Sequence, residues 1–185
     1  MFRSFTFSRI SFGRILRLVL PMVLCVALGA CHSSRKSVSP RMGKSPTRQE
    51  LLASLGNVSG KQRRIVEEAF TWMGTPYLYA GADKGTGTDC SGMVLRIYEE
   101  VCGVKLPRNS AKQAEFCKKI KEKDVRTGDL VFFATGKDKN RISHVGIMIN
   151  SEDFIHASSS KGVVVSKVTT PYYIRTFKQY GRVPM

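Results

Sequence analysis

The sequence predicts an α+β domain with an antiparallel sheet, because its helical patterns come first and its strand patterns come last. Apolar side chains recur at helical spacing in residues 61–73 and again in residues 91–101. After Gly128 the chain changes to short runs of β-branched and aromatic residues separated by polar turns. Segregated helices and strands of this kind indicate helices that pack on a single sheet.

Two helices are expected before residue 75. Thr47 and Glu50 have the spacing of a capping box, which predicts a short helix that ends at Gly56. The first helix of the core covers residues 61–73 and is closed by Gly74, a residue typical of helix ends.

Two further helices follow. Asp89 is a good N-cap for a helix that runs from about Ser91 to Val101. Ser110 is a plausible cap for a third core helix that reaches about Lys118.

Five short strands are predicted, and the polar turn from Asn150 to Asp153 indicates that the second and third form a hairpin. They are Leu130–Ala134, Val145–Ile149, Phe154–Ala157, Val163–Ser166 and Gly181–Val183.

The pattern of the first thirty residues is typical of an export signal. Four arginines precede an apolar run of about 13 residues, which is short of the roughly 20 that span a bilayer. The run ends in Leu28-Gly29-Ala30-Cys31, and small residues before a cysteine resemble the bacterial lipoprotein signal. That resemblance implies acylation of Cys31, with an ordinary signal peptide as the alternative. The resemblance to enteric lipoproteins also implies that His32, in place of Asp, favours sorting to an outer membrane.

We therefore expect a signal peptide in residues 1–30, a lipidated Cys31 with a basic linker and a short helix in residues 31–60, and the folded domain in residues 61–185. The formal charge of +16 is concentrated before the domain, since residues 32–64 hold eight basic side chains and one acidic side chain. A basic tether at a membrane meets anionic lipid and cell-wall carboxylates, so we expect no nucleic-acid partner.

One cysteine occupies a position that favours chemistry. An N-cap at Asp89 places Cys90 in the first turn of its helix, where free backbone N–H groups and the helix dipole stabilise a thiolate and lower the cysteine pKa. On position alone, a small buried cysteine at the start of the helix is the favoured interpretation. Cys102 and Cys117 also remain in the exported domain, either as a disulfide or as two buried thiols.

A thiolate nucleophile needs a base, and the domain contains two histidines, His144 and His156. Twelve residues separate them, so the parity of their connection decides whether they share a face of the sheet, and the pattern leaves this open. If they meet, His144 is the base and His156 orients it. Zinc bound by Cys90 and both histidines is the alternative arrangement.

The chain contains, in order, the segments TDCSGMVLRIY, LPRNSAKQ, RTGDLVFF, HVGIMI and FIHAS. This order resembles the NlpC-type family of papain-like cell-wall cysteine peptidases, and especially its Spr-like lipoproteins, over residues 62–185. The resemblance implies a papain-like fold in which the cysteine helix packs on the sheet that carries both histidines. It also implies Cys90 as the nucleophile, His144 as the general base and His156 as the orienting residue.

The same resemblance makes Tyr77 a candidate for oxyanion or substrate contacts, with a core aromatic as the alternative. Three neighbours of the nucleophile have two interpretations each. Asp89 meets a substrate ammonium or caps the helix, Ser91 touches substrate or lies in the first turn, and Arg108 binds a substrate carboxylate or stays solvated.

The function implied by the resemblance is a lipid-anchored murein endopeptidase that cleaves stem peptides between D-glutamate and meso-diaminopimelate or at a nearby bond. The chemistry needs a thiol, an imidazole and water, so no metal or organic cofactor is expected. We expect a monomer at the bacterial envelope, on the outer membrane facing the periplasm. The alternatives are a papain-like amidase or acyltransferase on another envelope substrate, and a lipoprotein that binds murein without cutting it.

Overall fold

The computed structural model describes residues 47–185, and the predictions for the signal peptide, Cys31 and most of the linker lie outside the described residues. The helices are α1 Arg48–Ser54, α2 Gly60–Thr71, α3 Cys90–Cys102, α4 Ser110–Phe116 and α5 Pro171–Thr176, with a short 3-10 helix at Glu122–Asp124. The strands are β1 Ala82–Asp83, β2 Gly87–Thr88, β3 Lys118–Ile120, β4 Leu130–Phe133, β5 His144–Met148, β6 Asp153–Ser158, β7 Gly162–Lys167 and β8 Phe177–Arg182. None of the helices in this part of the chain has the length and apolarity needed to cross a membrane.

A six-stranded antiparallel sheet forms the centre of the domain, in the order β3-β8-β4-β5-β6-β7. The strands β1 and β2 make a separate two-stranded hairpin that lies against the start of α3. The predicted α+β class and antiparallel sheet are therefore confirmed.

The two faces of the sheet bury separate clusters of apolar side chains, as the period-two alternation of strands requires. On one face, Val145, Ile147 and Ile155 pack with Met93 and Ile97 of α3. The other face buries a smaller cluster, whose members include Val131, Phe133, Met148, Phe154 and Tyr180. Because both faces are covered, β5 is buried from Val145 to Met148, while His144 at its start is partly exposed.

The helix boundaries follow the sequence signals with one correction. The Thr47 and Glu50 capping box is present, and the Asp89 carboxylate accepts the N–H of Gly92 at 2.7 Å as the N-cap of α3. The cap of α4 is Asn109 rather than Ser110, because the Asn109 side chain accepts the Lys112 N–H at 2.9 Å.

The five predicted strands are all present, and three elements besides the short 3-10 helix were not predicted. The β1–β2 hairpin and β3 are short, and β3 carries Lys118 and Lys119, which are poor strand formers in isolation. Pairing with β8, where Lys118 lies opposite Arg182, supplies the ladder that local propensity does not. The third element, α5, begins at Pro171 directly before β8.

Cys102 and Cys117 are free thiols, so the described residues contain no disulfide between them. Cys117 is buried against β8, where a Cβ added at Gly181 would lie 2.7 Å from the Cys117 Cβ. It therefore behaves as a small apolar core residue.

Asp129 fixes the turn that precedes β4. Its carboxylate accepts two N–H groups of Arg182 at 2.8 Å each and the backbone N–H of Arg126 at 2.7 Å. This buried ion pair joins the turn to the end of the chain, so Asp129 does more than occupy a turn position.

Candidate active site

Cys90 is the first residue of α3, where the helix, the β1–β2 hairpin and the sheet meet. The hairpin approaches the helix so closely that a Cβ added at Gly92 would lie 2.2 Å from the carbonyl oxygen of Gly81. Cys90 itself is 8% exposed, and the backbone amide of Val145 on β5 lies near enough to its sulfur to favour the thiolate. The sulfur therefore lies beside the residue that follows His144.

Burial raises the pKa of the Cys90 thiol to about 11. The backbone amides of Val145 and Ser91 act in the opposite direction, and the Asp89 carboxylate raises the pKa further. The direction expected from the helix N-terminus alone was wrong, because removing the sulfur from water outweighs the favourable backbone groups. In the free protein the thiol is neutral at pH 7.

His144 and His156 come together on one face of the sheet. Their strands pair with Ile147 opposite Ile155, a register that puts both histidines on the same face but two residues apart along the strands. Gly146 lies between them, and a Cβ there would come within 2.5 Å of the Phe154 ring. The missing side chain leaves room for the Phe154 ring, and the two histidines make a diagonal contact in which His144 Nε2 lies 2.9 Å from His156 Nδ1.

The far side of His156 is enclosed by polar and aromatic groups. Its Nε2 lies 2.9 Å from Ser166 Oγ and 3.1 Å from the Tyr173 hydroxyl. The Phe154 ring stacks on the imidazole, with ring centroids 4.9 Å apart. With 1% of its surface exposed, His156 has no access to solvent that would replace these contacts.

Burial is also the main cause of the pKa shifts of both imidazoles. It lowers the pKa of His144 to about 4 and lowers the pKa of His156 well below its ordinary value, to which neighbouring His144 also contributes. Both rings are therefore neutral at pH 7. The neutral imidazole therefore accepts the thiol proton when substrate is bound, and no thiolate–imidazolium pair exists before then.

Cys90 lies at the junction of two cavities that are both lined by Tyr77, Cys90 and Ser143. One, of about 500 Å³, contains both histidines and the turn between β6 and β7. The other, of about 610 Å³, contains Asp89, Arg108 and the loop before β5. An extended chain that crosses Cys90 can therefore be held on both sides of the sulfur.

Asp89, Ser91 and Arg108 form one hydrogen-bonded group beside the nucleophile. The Asp89 carboxylate accepts hydrogen bonds from both terminal nitrogens of Arg108 at 2.9 Å, from the Ser91 hydroxyl at 3.1 Å and from the Ala80 N–H at 3.0 Å, in addition to the helix cap. Burial raises the pKa of Asp89, but the hydrogen bonds from Arg108 and Gly92 outweigh it and keep that pKa below its usual value. Arg108 is thus paired rather than freely solvated, and a substrate ammonium would have to compete with it for Asp89.

Tyr77 stands at the mouth of the site, paired through its backbone with Thr88. Burial, with smaller contributions from Cys90 and Asp89, raises the pKa of its hydroxyl. The hydroxyl therefore keeps its proton and can donate a hydrogen bond to a group in either cavity.

Within residues 47–185, no three His, Cys, Asp or Glu side chains converge in a way that would hold a metal ion. The zinc arrangement considered from the sequence is not formed, because His144 Nε2 and His156 Nδ1 face each other.

Three residues that shape the site were not singled out from the sequence. Ser166 and Tyr173 contact His156, and Gly146 makes room for the Phe154 ring that stacks on His156. Ser166 lies on the same face of β7 as Val164, which is opposite His156. The alternation of side chains along β7 could therefore have indicated that Ser166 and His156 share a face of the sheet. Tyr173 lies on the unpredicted α5, and no local pattern connects it with His156.

A desolvated thiol at a helix N-terminus, next to an imidazole pair on the adjoining sheet, defines the papain-like class of cysteine hydrolases. Residues 74–182 match the NlpC/P60 family, and the chain belongs to this family of cysteine peptidases. The resemblance noted in the sequence is thereby confirmed.

Named relatives extend this result. The murein DD-endopeptidase MepS/murein LD-carboxypeptidase of Escherichia coli K12 is 33% identical over 178 residues, which cover 91% of this chain and 93% of the relative. A probable endopeptidase of Haemophilus influenzae is 39% identical over 119 residues, covering 64% of this chain and 73% of the relative. A crystal structure of an NlpC/P60 family protein from Bacillus cereus is 28% identical with a TM-score of 0.62, covering 68% of this chain and 41% of that chain.

The neutral thiol leads to a testable pH dependence. Because the pKa of Cys90 is raised to about 11, its thiolate fraction grows as the pH rises toward that value. We expect the rate of iodoacetamide alkylation at Cys90 to increase about tenfold per pH unit between about pH 7 and 9. Mass spectrometry of the Cys90 peptide separates this rate from that of Cys102. A rate that stays level between about pH 6 and 8 would instead show a preformed thiolate–imidazolium pair.

Proposed function

We propose that the protein is a murein endopeptidase of the bacterial envelope, which hydrolyses a peptide bond of the stem peptides through a thioester on Cys90. The observation that carries the proposal is the junction of two cavities at Cys90, with His144 lining the same space. Relatives named as murein endopeptidases support the substrate, above all the one that aligns with 91% of this chain.

The first step is attack on the scissile carbonyl. The Cys90 sulfur forms a bond to the carbonyl carbon while its proton passes to His144 Nδ1, the ring nitrogen that does not face His156. Because thiol and imidazole are neutral at rest, the proton transfer accompanies the attack instead of preceding it. The carbonyl electrons move onto the oxygen, which becomes an oxyanion.

The start of α3 supplies the groups that stabilise this oxyanion. The backbone N–H of Cys90 points out of the first helical turn, and the protonated Tyr77 hydroxyl is a second donor at the same cleft. One donor aimed at a developing oxyanion lowers a barrier by about 3 kcal/mol. These two groups therefore form the oxyanion hole of the proposed mechanism.

Release and hydrolysis return the site to its starting state. The bond from carbon to nitrogen breaks as the His144 imidazolium gives its proton to the leaving amine, and a thioester remains on Cys90. Water then loses a proton to His144 and attacks the thioester, and the thiolate leaves and regains that proton. Each step uses the described side chains and water.

The geometry favours cleavage within a chain over trimming at its end. Cavities of about 500 and 610 Å³ extend on both sides of Cys90, so substrate residues can be bound before and after the scissile bond. By family resemblance the bond joins D-glutamate to meso-diaminopimelate. The second candidate is a bond between two D centres, because the Escherichia coli relative is named a DD-endopeptidase.

Attachment to the envelope is the second part of the proposal. It rests on the Leu28-Gly29-Ala30-Cys31 signal and on the basic tether between Cys31 and the domain, with His32 favouring the outer membrane. We expect Cys31→Ser to move the protein from the membrane fraction to the soluble fraction and to abolish labelling with palmitate. Retention of both in the variant would contradict lipid attachment at Cys31.

The proposed activity is tested on purified murein with the fragments identified by mass spectrometry. Cys90→Ala is expected to lower fragment release at least about 1,000-fold, because no other group replaces the nucleophile. Cys102→Ala is the matched control, since it removes a half-buried thiol that does not line either cavity.

The fragment masses identify the bond and separate the alternatives. Release by Cys90→Ala at the parent rate would overturn the nucleophile assignment. Binding of murein by the parent protein without any release would indicate a non-catalytic binder. Inactivity on murein combined with hydrolysis or acyl transfer on another envelope amide would indicate the amidase or acyltransferase alternative.

A further inference from the structure

One polar contact of the site has no part in the reaction scheme. His156 Nε2 points away from His144, toward β7 and α5, and meets two hydroxyl oxygens in the wall of the cavity of about 500 Å³. Ser166 Oγ lies at 2.9 Å and the Tyr173 hydroxyl at 3.1 Å. A buried donor with two acceptors differs from a ring that simply fills space.

We propose that Ser166 and Tyr173 are positioning residues, which hold His156 in the tautomer that the transition state requires by accepting its Nε2 hydrogen. The inference rests on the proposed hydrolytic function, in which His144 receives the proton of the thiol.

The tautomer follows from counting hydrogens. When His144 has taken the thiol proton, both of its ring nitrogens carry hydrogen, so its Nε2–H must donate to His156 Nδ1 at 2.9 Å. His156 Nδ1 must then offer a lone pair. A neutral imidazole has one N–H, and in His156 that hydrogen is consequently on Nε2.

The groups around His156 Nε2 determine the free energy of the tautomer that carries hydrogen on that nitrogen. His156 is 1% exposed, so no bulk water is available as an acceptor. The two hydroxyl oxygens accept the hydrogen, and no proton enters or leaves His156 during the reaction. Without them, a buried N–H would lack a partner whenever His144 is charged, which raises the barrier to proton transfer.

Both hydroxyls are held in place by packing. The Tyr173 ring contacts Phe133 and Phe154, with ring centroids 4.9 and 4.8 Å apart, and it also lies edge-on to His156. Ser166 is fixed by the β6–β7 ladder, where it lies opposite Phe154. Removing either hydroxyl with Tyr173→Phe or Ser166→Ala therefore keeps the ring or the strand in place.

The test compares kcat and KM of the full chain on murein stem peptides. Each single variant keeps one acceptor, so we expect kcat to fall about two- to fivefold, and the double variant to fall about 30-fold because the buried N–H loses both partners. KM should stay within about twofold: both side chains line the cavity of about 500 Å³, but their hydroxyls bond His156 rather than the substrate.

Two controls separate positioning from stability. Ser166→Thr keeps a hydroxyl on the strand, so on the Tyr173→Phe background it should retain the activity of that single variant. Tyr180→Phe removes a hydroxyl from the same buried cluster without touching either histidine, and it should leave kcat unchanged.

The tautomer is read directly from the ¹⁵N chemical shifts of the His156 ring in the Cys90→Ala background, which needs no catalysis. The inference predicts hydrogen on Nε2 in the parent ring, and a mixture of tautomers after loss of both hydroxyls. A double variant that folds, keeps one tautomer and retains kcat overturns it, and so does a parent ring with hydrogen on Nδ1. If the double variant does not fold, the rescue comparison with Ser166→Thr decides. A parent protein that releases no murein fragments would overturn the proposed function, while the ¹⁵N result still decides the tautomer.

Discussion

The site depends on desolvation at the junction between the start of α3 and the first residues of β5. Burial gives Cys90 a pKa of about 11 and lowers that of His144 to about 4, so both groups stay neutral until a substrate carbonyl is present. Close approaches at Gly92 and Gly146 contribute to this burial, because no side chain separates the hairpin from the helix and the Phe154 ring packs directly against Gly146. The Cys90 thiol therefore becomes a nucleophile only when substrate occupies the cleft.

The charged groups nearby are arranged so that they do not disturb this neutrality. The Asp89 carboxylate raises the pKa of the Cys90 thiol further and so favours its neutral form, and Arg108 holds that carboxylate in place through two hydrogen bonds at 2.9 Å. The same pair joins the α3 N-cap to the hairpin through Gly81. The Asp89–Arg108 ion pair thus both fixes the shape of the cleft and sets the charge near Cys90.

The sequence predicted those features that depend on neighbouring residues. Side chains that accept hydrogen bonds from nearby backbone N–H groups encode the helix starts at Thr47 and Asp89. The turn from Asn150 to Asp153 is encoded in the same way, because the Asn150 side chain accepts the N–H of Asp153. Other features depend on contacts between distant segments. The strand register decided that the two histidines lie on the same face of the sheet, and β3 forms only because it pairs with β8. The raised pKa of Cys90 results from burial by distant segments, so the residues around the helix start could not predict it.

The central claim is that a neutral thiol becomes a nucleophile only through His144. Rapid-quench mass spectrometry of the acyl-enzyme tests it most directly, with a murein stem peptide as substrate and His144→Gln as the variant. The account predicts a thioester on Cys90 in the parent protein, formed at least about 1,000-fold more slowly in the variant. Equal rates of acylation in the two proteins, or an acyl group on a residue other than Cys90, would contradict it.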